Sequence, residues 1–207
     1  IIVEALDRDE QQIFDLVNEL PIDGTLDLLK GVYNRIQKDY DPAVKGFRLS
    51  TFVDAPAGSG LGTSSTLVVA VLGAFKEMLK LQLDEYKIAQ YAYDIERNDL
   101  QLAGGKQDQY AATFGGVNFM EFYADDKVIV NPLRIKSKFL HELEHNLVLF
   151  YTQTSRLSSK IIQEQTDNVN AKKSSSIDAM HQLKEQSVLM KEAILKGEVE
   201  GLSQRSV

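Results

Sequence analysis

A glycine- and hydroxyl-rich segment restricts the fold of this chain more than any other part of its sequence. The preceding residues 47–53 are rich in β-branched and aromatic side chains, which predicts a strand. The following residues 64–81 are apolar nearly all round, which predicts a buried central helix. The segment between them reads Pro56-Ala57-Gly58-Ser59-Gly60-Leu61-Gly62-Thr63-Ser64-Ser65-Thr66. A strand, a glycine-rich turn and a helix N-terminus in direct succession are typical of an anion-binding loop.

The residue types of this segment supply phosphate-binding chemistry. Glycines let the backbone approach a bulky anion, and the free N–H groups and dipole of the first helical turn favour its negative charge. The hydroxyls of Thr63, Ser64 and Ser65 can bind phosphate oxygens or a magnesium ion. The segment is neither a Walker A loop, because the Lys-Ser/Thr pair is missing, nor G-x-G-x-x-G. A flexible linker is the alternative interpretation, but linkers seldom precede a densely apolar helix.

The charge of the chain narrows the choice of partner. Its 207 residues include 23 Lys and Arg against 30 Asp and Glu, a formal net charge of -7. An acidic chain lacks a broad positive surface for a polyphosphate backbone, so we expect no nucleic-acid partner. With 43% hydrophobic and 26% charged residues, the composition is typical of a globular protein with one large or two small domains.

Three features that the sequence lacks bear on further classes of site, location and protein. The chain has no cysteine, which excludes disulfides, thiolate nucleophiles and Cys-ligated metals and favours a cytoplasmic location. Its longest apolar run, residues 67–75, is too short for a membrane helix of ~20 residues, so we expect no membrane partner. It starts without an initiator Met or a signal-peptide pattern, so we expect the chain to come from the middle of a longer protein.

The other elements follow from hydrophobic spacing and turn residues. The first predicted elements are a strand at 1–7, a helical or irregular stretch at 9–20, and an amphipathic helix at 26–36 with Asp23 or Thr25 as its N-terminal cap. A helix capped by Asp84 then ends near Asn98, and a short helix at 106–113 lies between Gly104-Gly105 and Gly115-Gly116. Beyond Gly115-Gly116, the predicted elements are hairpin strands at 117–123 and 127–133, a short helical stretch after Pro132, a strand at 146–152, and helices at 158–196 interrupted at 172–176.

The glycine-rich segment resembles the signature of a known enzyme family. Residues 56–65 are similar to the P-x-x-x-G-L-G-S-S motif of the GHMP kinases, which include galactokinase, homoserine kinase and mevalonate kinase. Two further stretches occur in the family's order, Ile95-Glu96 and the G-x-x-D-Q-like Gly105-Lys106-Gln107-Asp108-Gln109. Within the family, residues 104–116 and 151–160 are most similar to the D-glycero-D-manno-heptose 7-phosphate kinases.

The resemblance implies a cofactor and a role for individual residues. It implies that the β- and γ-phosphates of ATP lie on a loop formed by Pro56, Ala57, Gly58, Ser59, Gly60, Leu61, Gly62, Thr63, Ser64 and Ser65. It implies that Ser64 and Glu96 bind Mg²⁺, and that Asp108 is the catalytic residue that accepts the proton of the acceptor hydroxyl or orients it.

The implied substrate is a sugar phosphate. In the most similar subfamily, ATP phosphorylates the anomeric hydroxyl of D-glycero-D-manno-heptose 7-phosphate, which yields the 1,7-bisphosphate. A kinase of the fucose or galactose type is the alternative within the family.

The resemblance also implies the α+β fold of the GHMP kinases. Residues 1–145 would form the ATP-binding N-terminal domain, similar to domain 2 of ribosomal protein S5, and residues 146–207 part of a ferredoxin-like C-terminal domain. The family's N-terminal sugar-site segment and its C-terminal glycine-rich motif do not occur in this sequence. We therefore expect both domains to be incomplete, and a homodimer stays possible.

Each implied site residue also has a purely structural interpretation. Glu96 precedes Arg97 and lies near Asp99 at a helix end, where a solvated ion pair is common. Asp108 could merely stabilise the dipole of its own short helix. Arg156 and Lys160 could bind the phosphate of a sugar phosphate, or could lie on a helix surface.

Two other functional classes stay open. His141-Glu142-Leu143-Glu144-His145 matches the H-E-x-x-H pattern of zinc peptidases, in which two histidines bind the metal and the glutamate is the general base. Its helix is short, and the candidate third ligands, His181 and Glu164, have no supporting spacing. The second class is a non-catalytic nucleotide-binding module, which the missing terminal motifs favour.

Overall fold

The computed structural model describes residues 1–43, 45–56, 58–150 and 158–198, with residues 158–160 described by their backbone alone. The described residues belong to two compact units. The first contains Ile1–Gly115, and the second contains residues 116–150 and 160–198. Both units include strands and helices, so the α+β class is confirmed.

The first unit contains a three-stranded sheet. Its central strand β1 (Ile2–Ala5) is antiparallel to β2 (Glu10–Ile13) and parallel to β3 (Arg48–Thr51). In this register, Val3 lies opposite Leu49. β3 ends at Thr51, and four residues separate it from Pro56, where the glycine-rich segment begins.

Two of the strand predictions for this sheet are confirmed, because β1 lies within the predicted range 1–7 and β3 within the predicted range 47–53. The expectation for 9–20 is wrong at Glu10–Ile13, which forms a strand. Exposure alternates along this segment, so one face can lie against the unit while the backbone pairs with β1.

Two helices share one hydrophobic core with β1. α1 (Asp27–Tyr40), the predicted amphipathic helix, packs against α2 (Thr63–Leu79). The rings of Tyr33, Phe47 and Phe75 have their centroids 5.5 to 6.4 Å apart. The almost fully buried apolar residues include Val3, Leu20, Leu29, Val32, Ile36, Val68 and Leu72.

α2 is buried along one side only. Its buried residues are Ser65, Val68, Val71, Leu72 and Phe75. Ala70, Ala74 and half of Met78 are exposed, so the expectation of a helix buried all round is wrong. Alanine raises the apolar count of a helix, but it can face water at little cost.

The start of α1 also differs from the prediction of a cap at Asp23 or Thr25. The cap position is Leu26, which has a φ of 56° and makes no side-chain hydrogen bond to the helix. Asp27 instead accepts the N–H groups of Asp23 at 3.1 Å and Gly24 at 2.8 Å. The acidic side chains therefore stabilise the turn before the helix.

A buried lysine joins these two acids. The side chain of Lys30 is fully buried, and its Nζ lies 2.6 Å from Asp23 Oδ1 and 3.1 Å from Asp27 Oδ1. The Lys30 ammonium, assisted by hydrogen bonds from Thr25 and Gln12, lowers the pKa of Asp23 to about 2. This ion pair holds the turn against α1.

Two further helices complete the first unit. α3 (Glu85–Asp94) begins at the predicted cap Asp84, whose carboxylate accepts a backbone N–H at 2.8 Å. It continues as a π-helical turn, Ile95–Asp99, where the sequence predicts an ordinary helix end. α4 (Gln107–Phe114) follows the glycine pair and ends at Gly115, as predicted.

The second unit contains a hairpin and three helices among its described residues. β4 (Asn118–Phe122) and β5 (Val128–Pro132) are antiparallel, which confirms the predicted hairpin. α5 (Ser137–Asn146), α6 (Ser158–Asn170) and α7 (Ser174–Lys196) confirm the helical stretches. None of the helices in the described ranges is long and apolar enough to span a membrane.

The strand predicted at 146–152 does not form where the structure describes it. Asn146 ends α5, residues 147–150 have no regular secondary structure, and residues 151 and 152 lie outside the described residues. A strand needs a paired neighbour, and no described strand pairs with residues 147–150. The ferredoxin-like C-terminal domain and the division at 145/146 stay predictions.

Leu72, which is fully buried in α2, tests the core. Leu72→Ala should lower the free energy of unfolding by about 2–5 kcal/mol, because the truncation leaves a cavity. Chemical denaturation measures the loss. Met78→Ala, on the half-exposed side chain of the same helix, is the matched control and should cost only about 0.5 kcal/mol. Equal losses would contradict the described core.

The Asp23–Lys30 pair predicts a difference in acid stability. Because the pKa of Asp23 is lowered in the folded state to about 2, its stabilisation is complete above the ordinary value of 3.8 and is lost as the pH falls towards 2. Asp23→Asn should therefore be less stable than the wild type at pH 5, and this difference should shrink between about pH 4 and pH 2. Denaturation curves over this range measure it, and a constant difference would contradict the ion pair.

Candidate active site

The glycine-rich loop leaves the N-terminus of α2 open. The cap residue is Gly62, which has a φ of 70° and no side chain to accept the first N–H groups of the helix. The first turn of α2 carries no acidic residue. Within the described part of the loop, the N–H of Ser59 donates to the carbonyl of Pro56 at 3.1 Å, and the carbonyl of Gly62 accepts the N–H of Thr66 at 3.0 Å. The helix dipole and its free N–H groups can therefore bind an anionic ligand.

Asp108 lies beside this loop. A Cβ atom built on Gly62 would lie 3.6 Å from Asp108 Cγ, so the carboxyl group lies next to the Gly62 backbone. Asp108 is exposed in the first turn of α4. The structure thus brings the predicted catalytic acid to the N-terminus of α2.

Glu96 lies at the centre of a buried polar cluster. Its side chain is 1% exposed. Ser64 Oγ donates to Glu96 Oε1 at 2.7 Å, and Ser65 Oγ donates to Glu96 Oε2 at 2.7 Å. Gln109 Nε2 donates to the same Oε2 and to Ser65 Oγ. The predicted metal ligands Ser64 and Glu96 are therefore in direct contact.

The π-helical turn places Glu96 in this cluster. Ile95 is fully buried, and its carbonyl accepts the N–H of Leu100 at 2.9 Å, five residues further along the chain. The wider turn carries one more residue than an α-helical turn. It therefore shifts the direction of Glu96 relative to the preceding helix α3.

Arg97 connects the π-helical turn to the segment that precedes α4. Its guanidinium group donates to the carbonyls of Leu102 and Gly105, each at 3.3 Å. A side chain at residue 104 would collide with this guanidinium, which explains the glycine there. The connection between Glu96 and Asp108 is thus held by a side chain next to Glu96 itself.

A cavity of about 450 Å³ adjoins the loop within the first unit. Ser64 and Thr63 line it on the loop side, and Arg8, Asp7 and Asp27 contribute charge. Its apolar lining includes Ala5, Leu26, Leu28, Leu29, Val53, Leu67, Leu100 and Leu102. An apolar cavity with a few polar groups beside an anion-binding loop is suited to a small organic anion.

The other predicted loop residues surround the helix N-terminus. Pro56, Gly58, Gly60 and Leu61 are exposed, and Ala57 lies outside the described residues. The Ser59 hydroxyl is buried and has no hydrogen-bond partner within the described chain. The side chains of Arg156 and Lys160 lie outside the described residues.

The zinc interpretation gains no support. His141 and His145 are exposed on α5 of the second unit. In the ranges that the structure describes, no group of three His, Cys, Asp or Glu side chains could hold a metal ion. Two adjacent histidines without a third ligand do not make a zinc-hydrolase site.

Sequence reasoning missed the part played by Gln109 and Arg97. Gln109 directly follows Asp108 in the G-x-x-D-Q-like motif, and its amide is a donor suited to a carboxylate. That adjacency was the available signal. No sequence signal marked the π-helical turn.

The elements around this site form an anion-binding type of loop beside a cluster of oxygen donors. A strand and a glycine-rich loop lead into an open helix N-terminus, and Ser64 and Glu96 supply oxygens beside it. Residues 27–116 match the GHMP kinases N terminal domain, and the chain belongs to the GHMP kinase family.

Known proteins are similar over nearly the whole chain. The D-glycero-alpha-D-manno-heptose 7-phosphate kinase of Campylobacter jejuni is 47% identical over 99% of this chain and 60% of its own length. A solved structure from Bacteroides thetaiotaomicron, named as a D-glycero-D-manno-heptose 1-phosphate kinase, has a TM-score of 0.85 and 45% identity over 99% of this chain and 60% of that one.

A more distant relative has a different sugar in its name. The L-fucokinase/L-fucose-1-P guanylyltransferase of Bacteroides fragilis is 32% identical over 73% of this chain and 16% of its own length. The chain thus spans about 60% of the length of the two heptose phosphate kinases and a small part of this larger protein.

Replacing glycine by alanine should have opposite effects on the free energy of unfolding at Gly62, in the loop, and at Gly73, inside α2. Gly62→Ala should lower the free energy of unfolding by about 1 kcal/mol, because alanine is strained at a φ of 70°. Gly73→Ala is the matched control: a Cβ atom built at this position inside α2 has no neighbour within 4 Å, so the substitution should stabilise by up to about 1 kcal/mol. Thermal unfolding measures both, and a stabilising Gly62→Ala would contradict the loop geometry.

Proposed function

We propose that this chain is the nucleotide-binding part of an ATP-dependent sugar kinase that phosphorylates the anomeric hydroxyl of D-glycero-D-manno-heptose 7-phosphate. The proposal rests on one observation, that the Asp108 carboxyl group lies next to Gly62 at the open N-terminus of α2. A carboxylate beside an anion-binding loop can contact an acceptor hydroxyl while the loop holds the phosphates.

The loop and the adjoining cavity suit ATP. The free N–H groups at Gly62 and the following turn would hold the β- and γ-phosphates. The 450 Å³ cavity begins at Ser64 and Thr63 and would receive the nucleoside, with Leu67 and Val53 offering apolar contact. The loop that would hold the phosphates is the part of this arrangement that Asp108 adjoins, at Gly62.

The donor set suits Mg²⁺. Ser64 Oγ and Glu96 Oε1 are hard oxygen donors, and Mg²⁺ is commonly bound by one or two carboxylates together with substrate phosphates and water. When bound there, the ion would neutralise charge on the transferred phosphoryl group. Ser64 Oγ lies 2.7 Å from Glu96 Oε1, and this hydrogen bond orients both groups.

Asp108 would act on the acceptor. Its exposed carboxylate would accept the hydroxyl proton of the sugar, or orient the hydroxyl toward the γ-phosphate. Because phosphoryl transfer depends mainly on positioning and charge stabilisation, no covalent intermediate with the protein is required.

The proposed acceptor sugar rests on the names of the similar proteins. The Campylobacter jejuni relative is named for heptose 7-phosphate, whereas the Bacteroides thetaiotaomicron structure is named for a heptose 1-phosphate kinase. The fucokinase relative supports a sugar of the fucose type as the second candidate. A cytoplasmic location, a homodimer and the lack of nucleic-acid and membrane partners stay predictions.

A kinase assay on the full-length protein tests the proposal. With Mg²⁺ and ATP, we expect phosphorylation of D-glycero-D-manno-heptose 7-phosphate at O1, and the heptose 1-phosphate, L-fucose and D-galactose are the comparison acceptors. Phosphorus NMR of the product identifies the position of the new phosphate. A protein that binds ATP but phosphorylates none of these would be a non-catalytic nucleotide-binding module.

Asp108→Asn tests the role of the carboxylate. The substitution should lower kcat by about 10²–10⁴-fold, because the amide cannot accept the proton, while the Kd for ATP stays near that of the wild type. Asp125→Asn, in the exposed turn of the second unit's hairpin, removes the same charge far from the loop in sequence and should leave kcat unchanged. Full activity of Asp108→Asn would refute the assignment.

A further inference from the structure

Gln109 closes a buried triangle of hydrogen bonds around one oxygen of Glu96. Its Nε2 donates to Glu96 Oε2 and, at 3.0 Å, to Ser65 Oγ. Ser65 Oγ donates in turn to the same Glu96 Oε2 at 2.7 Å. All three side chains are at most 2% exposed. The contacts join the start of α2, the π-helical turn and the start of α4.

Chemistry fixes the orientation of the Gln109 amide. Its amide nitrogen Nε2 lies within hydrogen-bond distance of both Glu96 Oε2 and Ser65 Oγ, and only the nitrogen of an amide can donate. The opposite orientation would place the amide oxygen against a carboxylate oxygen. The amide oxygen Oε1 is left buried without a hydrogen-bond partner within the described residues, which is costly. A side chain serving only to fill space would not need this arrangement.

The two oxygens of Glu96 lie in different surroundings. Oε2 faces the fully buried side chains of Ser65 and Gln109. Oε1 contacts Ser64, which is half-buried and lines the 450 Å³ cavity. One oxygen is thus held from the core side, and the other lies on the side that a ligand can reach.

We propose that Gln109 is a positioning residue for the metal site, which holds Glu96 Oε2 so that Oε1 and the Ser64 hydroxyl face the ligand. The inference rests on the proposed function, which supplies the metal and the nucleotide. Since Gln109 follows Asp108 directly on α4, the same side chain sets the metal-facing oxygen relative to the carboxylate that faces the acceptor.

An apolar residue of the same size would fill the space but not hold the carboxylate. Without Gln109, Oε2 would keep only the Ser65 donor. A buried carboxylate that lacks donors rotates or moves toward other polar groups, because buried charge requires hydrogen bonds. Oε1 would then lose its fixed direction toward Ser64.

Metal affinity provides a readout that does not depend on turnover. Mn²⁺ is titrated into full-length protein saturated with adenylyl imidodiphosphate, and free Mn²⁺ is measured by electron paramagnetic resonance. Gln109→Leu should weaken Mn²⁺ binding by about 10- to 100-fold, the usual effect of removing a residue that orients a metal ligand. The affinity for the nucleotide analogue without metal should stay that of the wild type.

The matched control is Gln107→Leu. Gln107 begins the same helix α4 and is exposed, so this identical substitution should leave the Mn²⁺ affinity unchanged. Wild-type Mn²⁺ affinity in Gln109→Leu would overturn the inference. An equal loss of metal-bound and metal-free nucleotide binding would overturn it too, because it would show a purely structural role.

A second variant tests the inference if the Gln109→Leu protein does not fold. Ser65→Ala removes the other donor to Oε2 and should weaken Mn²⁺ binding in the same direction, whereas unchanged Mn²⁺ affinity would overturn the inference. The proposed function fails separately. Wild-type protein that binds Mn²⁺ with the nucleotide analogue but phosphorylates no sugar would refute the kinase and leave the role of Gln109 standing.

Discussion

The buried carboxylate of Glu96 is the constraint on which the arrangement of the first unit depends. A carboxylate that is 1% exposed is stable only if donors surround it, and here the donors come from Ser64 and Ser65 on α2 and from Gln109 on α4. Three separate elements must therefore meet at one point. Their meeting brings the glycine-rich loop next to the acid of α4, so the same contacts satisfy a buried charge and assemble the site.

Sequence reasoning was most successful where local residue types decide the structure. The glycines and hydroxyls of residues 56–66 predict the loop, the carboxylate of Asp84 predicts a helix start, and the family motifs single out Glu96 and Asp108. It failed where the pairing of the backbone decides the structure. The strand Glu10–Ile13 forms because it pairs with β1, from which only four residues separate it, and the polar sequence of this segment does not indicate a strand.

Other contacts that the residue pattern does not indicate explain the remaining differences. The acids before α1 bind backbone N–H groups of their own turn and the buried Lys30, so Leu26 takes the cap position. The π-helical turn and the role of Gln109 come from the cluster around Glu96, which forms only after three elements pack. In the second unit, the apolar residues 147–150 resemble a strand in composition, but a strand also requires a neighbour to pair with.

The first two helices after β3, α2 and α3, begin in opposite ways. α3 has its own cap, because the Asp84 carboxylate accepts a backbone N–H. α2 begins at a glycine and has none. An anion bound at the loop would therefore take the place of a capping side chain, and part of its binding energy, about 1 kcal/mol for a typical cap, would be the energy of completing the helix. A bound anion would thus supply the N-terminal cap that the sequence of α2 lacks, and would stabilise the helix itself.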